Sequence, residues 1–142
     1  MSAAAPSAVA LTFVWLGMVL AISFLEAPLK FRAPNVTLQI GLGIGRLVFR
    51  ALNSVEIVFA IVVATVILAS PPPTGVILAF LTAFAVLAAQ LVAVRPFLNR
   101  RSNKVLAGLN APRSRGHYAY VGLEAIKVIA LAVAGILLLL GL

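Results

Sequence analysis

Long apolar runs separated by short polar segments make up most of the chain. Four such blocks cover approximately residues 8–25, 55–69, 76–94 and 121–142. Each approaches the ~20 residues that a helix needs to cross a hydrocarbon layer ~30 Å thick. Because lipid does not satisfy exposed backbone groups, runs of this kind form helices rather than open strands. The pattern predicts an all-α integral membrane protein, a four-helix antiparallel bundle forming a single transmembrane domain over residues 1–142.

The polar residues that flank these blocks refine the expected boundaries. We place the spans at about 8–28, 50–69, 75–95 and 117–141, with connections at about 29–49 and 96–116. The first block lacks a basic leader and a small-residue cleavage site, so we expect a membrane span there and not a signal peptide. Apolar residues alternate with glycines over 33–50, which predicts that this connection lies at the interface or extends the second helix.

Composition and charge agree with a membrane location. The chain is 63% hydrophobic and 10% charged, with eleven basic and three acidic residues and a net charge of +8. Most of the bases fall in two connections, namely Lys30, Arg32, Arg46 and Arg50 in the first and Arg95, Arg100, Arg101, Lys104, Arg113 and Arg115 in the other. The positive-inside rule makes both connections cytoplasmic and both chain termini extracytoplasmic. We expect these bases to attract anionic lipid head groups, and without interleaved aromatic residues they do not indicate nucleic-acid binding.

The acidic residues have a different distribution. Glu26, Glu56 and Glu124 each lie inside or at the edge of a hydrophobic span. An ionisable group at membrane depth costs ~2.5–3.5 kcal/mol, so it normally faces the bundle interior and has a partner. At 1.5 Å per residue, Glu56 and Glu124 lie ~9 and ~10 Å inside the cytoplasmic boundary. The sequence therefore predicts that the three glutamates converge in one leaflet.

Helical spacing extends this convergence to other polar residues. A polar stripe with spacings of three and four follows the fourth span, and a second one follows the second span, while Arg95 ends the third span. Polar stripes on hydrophobic helices should face each other and not lipid. The candidate site contains Glu26, Asn53, Glu56, Arg95, His117, Tyr120, Glu124 and Lys127.

Two interpretations of this polar set remain open. In the first, the residues form structural ion pairs and interhelical hydrogen bonds. In the second, they form a cytoplasm-facing intramembrane site that binds or transports a polar or cationic solute. With one histidine and no cysteine, a transition-metal site is not predicted. A single short bundle has little room for a continuous pathway, so we expect a homo-oligomer.

Three stretches of the sequence resemble a known group of proteins. They are residues 16–33 at the end of the first span, residues 95–107 after the third span, and residues 117–123 at the start of the fourth. These stretches resemble small four-helix membrane proteins of unknown function that include a human transmembrane protein linked to cisplatin tolerance. The resemblance implies a four-helix bundle with a part in moving or tolerating metal complexes or drugs.

A shorter stretch suggests an enzyme. Arg50-x-x-Asn53-x-x-Glu56 is similar to a motif on the second helix of the MAPEG family, which are trimeric four-helix membrane enzymes that use glutathione. The later spans have no match to the arginines and tyrosines with which those enzymes hold the thiol cofactor. We therefore expect a binding or transport protein rather than an enzyme. A glutathione-dependent membrane enzyme and a structural subunit of a larger membrane complex are the alternatives.

Overall fold

A computed structural model describes residues 4–108 and 115–141, and it confirms the all-α prediction. The described residues form five helices and contain no strand. The helices are α1 (Ala4–Arg32), α2 (Leu38–Ala69), α3 (Thr74–Ala89), α4 (Arg95–Leu106) and α5 (Arg115–Leu140). Four helical segments, in α1, α2, α3 and α5, are long and apolar enough to cross a membrane. The chain is therefore an integral, multi-pass membrane protein.

Two helices contain π-helical turns, each directly before a proline. In α1 the π-helical segment is Leu20–Glu26, two residues before Pro28. A second π-helical segment, Gln90–Val94, joins α3 to α4 and precedes Pro96. Proline has no N–H to donate and its ring crowds the carbonyl four residues earlier, so the preceding turn widens. These segments change which side chains point into the bundle.

The connection between α1 and α2 is short. Ala33, which precedes a proline, is extended, and Asn35 adopts a positive φ of 67°, a conformation that asparagine tolerates better than most residues. The Thr37 hydroxyl then accepts a hydrogen bond from the Ile40 N–H at 3.1 Å and caps α2. Residues 38–49, between spans in the sequence analysis, are thus the first turns of a 32-residue helix.

This length makes α2 ~48 Å long, more than the ~30 Å hydrocarbon layer. Its first turns lie beside α4. We call the end of the bundle formed by residues 30–50 and α4 the basic end. The opposite end contains the Ser70 to Pro73 connection. The positive-inside rule predicts that the basic end faces the cytoplasm.

The apolar core holds the four spanning helices together. Helix α5 packs against α3 and α1, and α1 also packs against α2. Trp15, Val63, Phe80 and Leu131 are fully buried at the centre of this core. At Gly135 the two helices α1 and α5 approach so closely that an added Cβ would lie 2.7 Å from Cζ of Phe13. The core positions the polar residues that converge toward the basic end.

Candidate functional site

A fully buried lysine lies at the centre of a polar cluster between α2, α3 and α5. The Lys127 Nζ is 2.6 Å from Oε1 of Glu56 and 2.6 Å from Oε1 of Glu124. The same ammonium donates a hydrogen bond to Oε1 of Gln90 at 2.8 Å. All four side chains are at most 1% exposed. We call Glu56, Gln90, Glu124 and Lys127 the buried cluster.

Helix α1 supplies two further donors to the buried cluster. The Trp15 indole N–H donates to Oε1 of Glu56 at 3.0 Å, and the Ser23 hydroxyl donates to Oε2 of Glu124 at 2.7 Å. Gln90 also donates to Oε1 of Glu124 at 3.3 Å. Ser23 lies in the first π-helical segment and Gln90 begins the second. The widened turns in α1 and directly after α3 thus aim both side chains at the Glu124 carboxylate.

The Lys127 ammonium is fully paired within the buried cluster, whereas Oε2 of Glu56 has no hydrogen-bond partner among the described residues. Lys127 has three oxygen partners, which is as many as an ammonium has protons to donate. The ammonium therefore takes the position that an added cation would need between the two carboxylates. The low dielectric constant of the interior strengthens these attractions. Much of that gain is used to offset the free-energy cost of removing three charges from water. Through the contacts of Lys127, the cluster links α2 and α5 to Gln90 at the end of α3.

Next to this cluster, at the basic end, lies a cavity of about 410 Å³ between α1, α2, α4 and α5. We call it the basic cavity. Its charged and hydroxyl-bearing lining residues are Ser23, Lys30, Arg46, Arg95, Arg101, Ser102, Tyr120 and Glu124. Four bases thus surround the cavity against one carboxylate, and that carboxylate already belongs to the buried cluster. The charge of the lining favours an anion.

Arg95 is the best-positioned base of the cavity. Its guanidinium carbon lies 5.0 Å from the ring centroid of Phe49 and 4.6 Å from that of Tyr120. These contacts fix the guanidinium plane by cation–π attraction. The Arg95 Nε and Nη2 atoms are nevertheless buried without a hydrogen-bond partner among the described residues. Buried donors are almost always paired in proteins, so these two N–H groups need an acceptor.

Two hydroxyl groups share this condition. The Tyr120 hydroxyl and the Ser102 Oγ are buried, line the same cavity and have no hydrogen-bond partner in the described part of the chain. Tyr120 is 6% exposed and Ser102 is 7% exposed. The basic cavity therefore presents unpaired donors from α4 and α5 next to several positive charges.

Close approach of α1 and α2 forms another wall of the cavity. The Phe31 ring occupies the space that a side chain at position 41 would need, so glycine is required there. One turn later, Lys30 Nζ lies 2.9 Å from where a Cβ at Gly45 would be. Lys30 Nζ is also 5.8 Å from the ring centroid of Phe49. The two glycines thus admit an aromatic ring and an ammonium group at the cavity wall.

The structure brings together some of the candidate residues and separates others. Glu56, Glu124 and Lys127 meet in the buried cluster, and Arg95 and Tyr120 line the adjacent cavity. Glu26, whose side chain is 36% exposed, lies 3.9 Å from Lys30 Nζ on its own helix. Asn53 is 6% exposed, and its Oδ1 has no hydrogen-bond partner in the described ranges. His117 lies in the first turn of α5, and its side chain is outside the part of the chain that the structure describes.

Sequence reasoning missed several residues of the site. It did not include Trp15, whose indole donates to a buried carboxylate, among the candidate site residues. It also placed Lys30, Arg46 and Arg101 in topology-determining connections, although they line the cavity. The glycines at 41 and 45 were a usable signal, because small residues one turn apart allow a neighbouring helix to come close.

The residues of the MAPEG-like motif differ in burial within the chain. Arg50 is exposed, whereas Glu56 is buried and paired with Lys127. Comparison with known protein families, curated proteins and solved structures finds no match. The function therefore has to be inferred from the chemistry of the cavity and the cluster.

Proposed function

We propose that this small membrane protein binds a ligand that carries an oxyanion, a phosphate or carboxylate group, in the basic cavity. The observation that carries the proposal is the pair of buried, unpaired N–H groups on Arg95. A guanidinium group presents its donors in a planar fork that matches two oxygens of a phosphate or carboxylate. Nε and Nη2 are one edge of that fork.

The surroundings of Arg95 fit the same ligand chemistry. The hydroxyls of Tyr120 and Ser102 supply two more donors. Lys30 and Arg46 add positive charge to the lining. Lys30 is partly buried, which reduces the effective dielectric constant around it, so its charge attracts an anion more strongly than an exposed base would.

The cationic form of the solute hypothesis has less support. A cation would have to compete with Lys127 for Glu56 and Glu124, whose ammonium partner lies 2.6 Å from each. In the cavity it would face four bases. We therefore retain a polar solute but assign it a negative charge, with binding as the primary activity and transport as a consequence to be tested.

Binding of inorganic phosphate to the purified protein in a neutral detergent tests the proposal. We expect millimolar phosphate to raise the unfolding temperature, because a ligand of the folded state stabilises it by mass action. Arg95→Gln should abolish this rise and Arg95→Lys should retain part of it, because lysine keeps the charge but loses the fork. The matched control is Arg100→Gln, which removes an exposed base that does not line the cavity.

Glutathione serves as a second probe, because it carries two carboxylates and also tests the enzyme alternative. Stabilisation by glutathione that depends on exposed Arg50 and not on Arg95 would favour the MAPEG-like interpretation. Phosphate stabilisation that is equal in the wild type, Arg95→Gln and Arg100→Gln would overturn the proposal, because it would come from the overall positive charge.

A further inference from the structure

The wall of the basic cavity is apolar as well as basic. Phe24 and Phe31 line it from α1, Leu42 from α2 and Leu98 from α4. Phe24 is 41% exposed and Phe31 is 40% exposed. Two rings that line the cavity thus also reach the outer surface of the bundle. A ligand could therefore keep an apolar part against α1 while its charged part lies near Arg95.

The position of the cavity along the bundle also fits a ligand with a charged part and an apolar part. Lys30 lies where the apolar run of α1 changes to basic sequence, and Arg46 is the first base of α2. In a bilayer this change marks the boundary between hydrocarbon and head groups, where lysine and arginine side chains reach the interface. The exposed Phe24 lies nearly two turns from Lys30 toward the hydrocarbon. Phe24 thus provides apolar surface on the hydrocarbon side of Lys30, where the acyl chains of a membrane lipid would lie.

We propose that the ligand of the basic cavity is an anionic phospholipid of the surrounding membrane, held by its phosphate. This inference rests on the proposed function and names its ligand class. The phosphate oxygens would accept hydrogen bonds from Nε and Nη2 of Arg95 and from the Tyr120 hydroxyl. The acyl chains would lie outside the cavity against Phe24.

Volume and charge both restrict the ligand further. A cavity of about 410 Å³ is near the lower end of the ~300–1,000 Å³ range of ligand pockets, so it accommodates a head group and not the chains. Four bases against one carboxylate favour a head group with net negative charge over a zwitterionic one. We therefore expect phosphatidylglycerol to bind more tightly than phosphatidylcholine with the same chains.

Native mass spectrometry of the delipidated protein in a neutral detergent tests this inference. The probes are dioleoyl phosphatidylglycerol, dioleoyl phosphatidylcholine and glycerol 3-phosphate, which has the phosphate without the chains. We expect one tightly bound phosphatidylglycerol per chain, with affinity about tenfold or more above that of either other probe. Arg95→Gln should reduce this affinity about tenfold, whereas Arg100→Gln on the same helix should leave it unchanged.

Two further variants make the result independent of the folding of Arg95→Gln. Tyr120→Phe removes only a hydroxyl and should weaken phosphatidylglycerol and glycerol 3-phosphate alike. Phe24→Ser should weaken the lipid more than glycerol 3-phosphate, because Phe24 is exposed on the hydrocarbon side of Lys30.

Each contrary result has a distinct meaning. Equal affinity for glycerol 3-phosphate and phosphatidylglycerol would overturn the lipid inference while leaving oxyanion binding in place. Equal loss in Arg95→Gln and Arg100→Gln would indicate lipids bound around the bundle by charge alone, which also overturns it. Failure of all three probes, together with inorganic phosphate, to bind would overturn the proposed function itself.

Discussion

Replacing Lys127 with methionine is the most direct test of the buried cluster. Methionine has a similar length but no charge, so the substitution leaves the Glu56 and Glu124 carboxylates buried without their shared ammonium. Both contacts are 2.6 Å, and a third hydrogen bond to Gln90 is lost as well. Breaking a buried ion pair by removing one partner costs about 3–5 kcal/mol.

Because one ammonium serves two carboxylates, we expect a loss in the upper half of that range, about 4–5 kcal/mol of unfolding free energy. The donors Trp15 and Ser23 stay in place and limit the loss. The measurement is unfolding in mixed micelles titrated with dodecyl sulfate, with Lys104→Met as the matched control on the exposed surface of α4.

A triple variant separates charge from packing. When Lys127→Met is combined with Glu56→Gln and Glu124→Gln, no uncompensated charge remains, and most of the lost stability should return. A Lys127→Met protein as stable as the Lys104→Met control would refute the reasoning, because the buried cluster would then contribute nothing through its charges.

Three other predictions address the helix contacts, the membrane orientation and the start of α2. Gly135→Ala should cost about 1–2 kcal/mol, since the new Cβ meets the Phe13 ring, and Phe13→Leu should restore part of this in the same unfolding titration. The chain has no cysteine, so Ser70→Cys and Asn103→Cys can each report on one side of the membrane. An impermeant thiol reagent added outside intact cells should label Ser70→Cys and not Asn103→Cys. The reverse result would show the opposite topology. Thr37→Ala removes a helix cap and should increase amide hydrogen exchange in the first turn of α2, with a local cost of about 0.5–2 kcal/mol; unchanged exchange there would show that the cap is dispensable.

The sequence alone determined the four spanning helices and one side of the cluster, whereas α4 lies in a predicted connection. Apolar runs of membrane-spanning length leave no other regular structure available in lipid, so four spans followed from hydropathy. Glu124 and Lys127 are three residues apart on one helix, which places them on the same face in any packing arrangement. The cost of charge at membrane depth likewise predicted partners for Glu56.

Only the tertiary structure decided which partners meet. Lipid-facing and core-facing positions are equally apolar, so hydrophobic periodicity does not show how each helix is rotated. The π-helical turns in α1 and between α3 and α4 also shift the helical phase, and the turn in α1 directs Ser23 to Glu124 while Glu26 lies beside Lys30. The basic cavity is formed by α1, α2, α4 and α5 together. Its unpaired donors depend on how these helices approach one another, and no single helix specifies that approach.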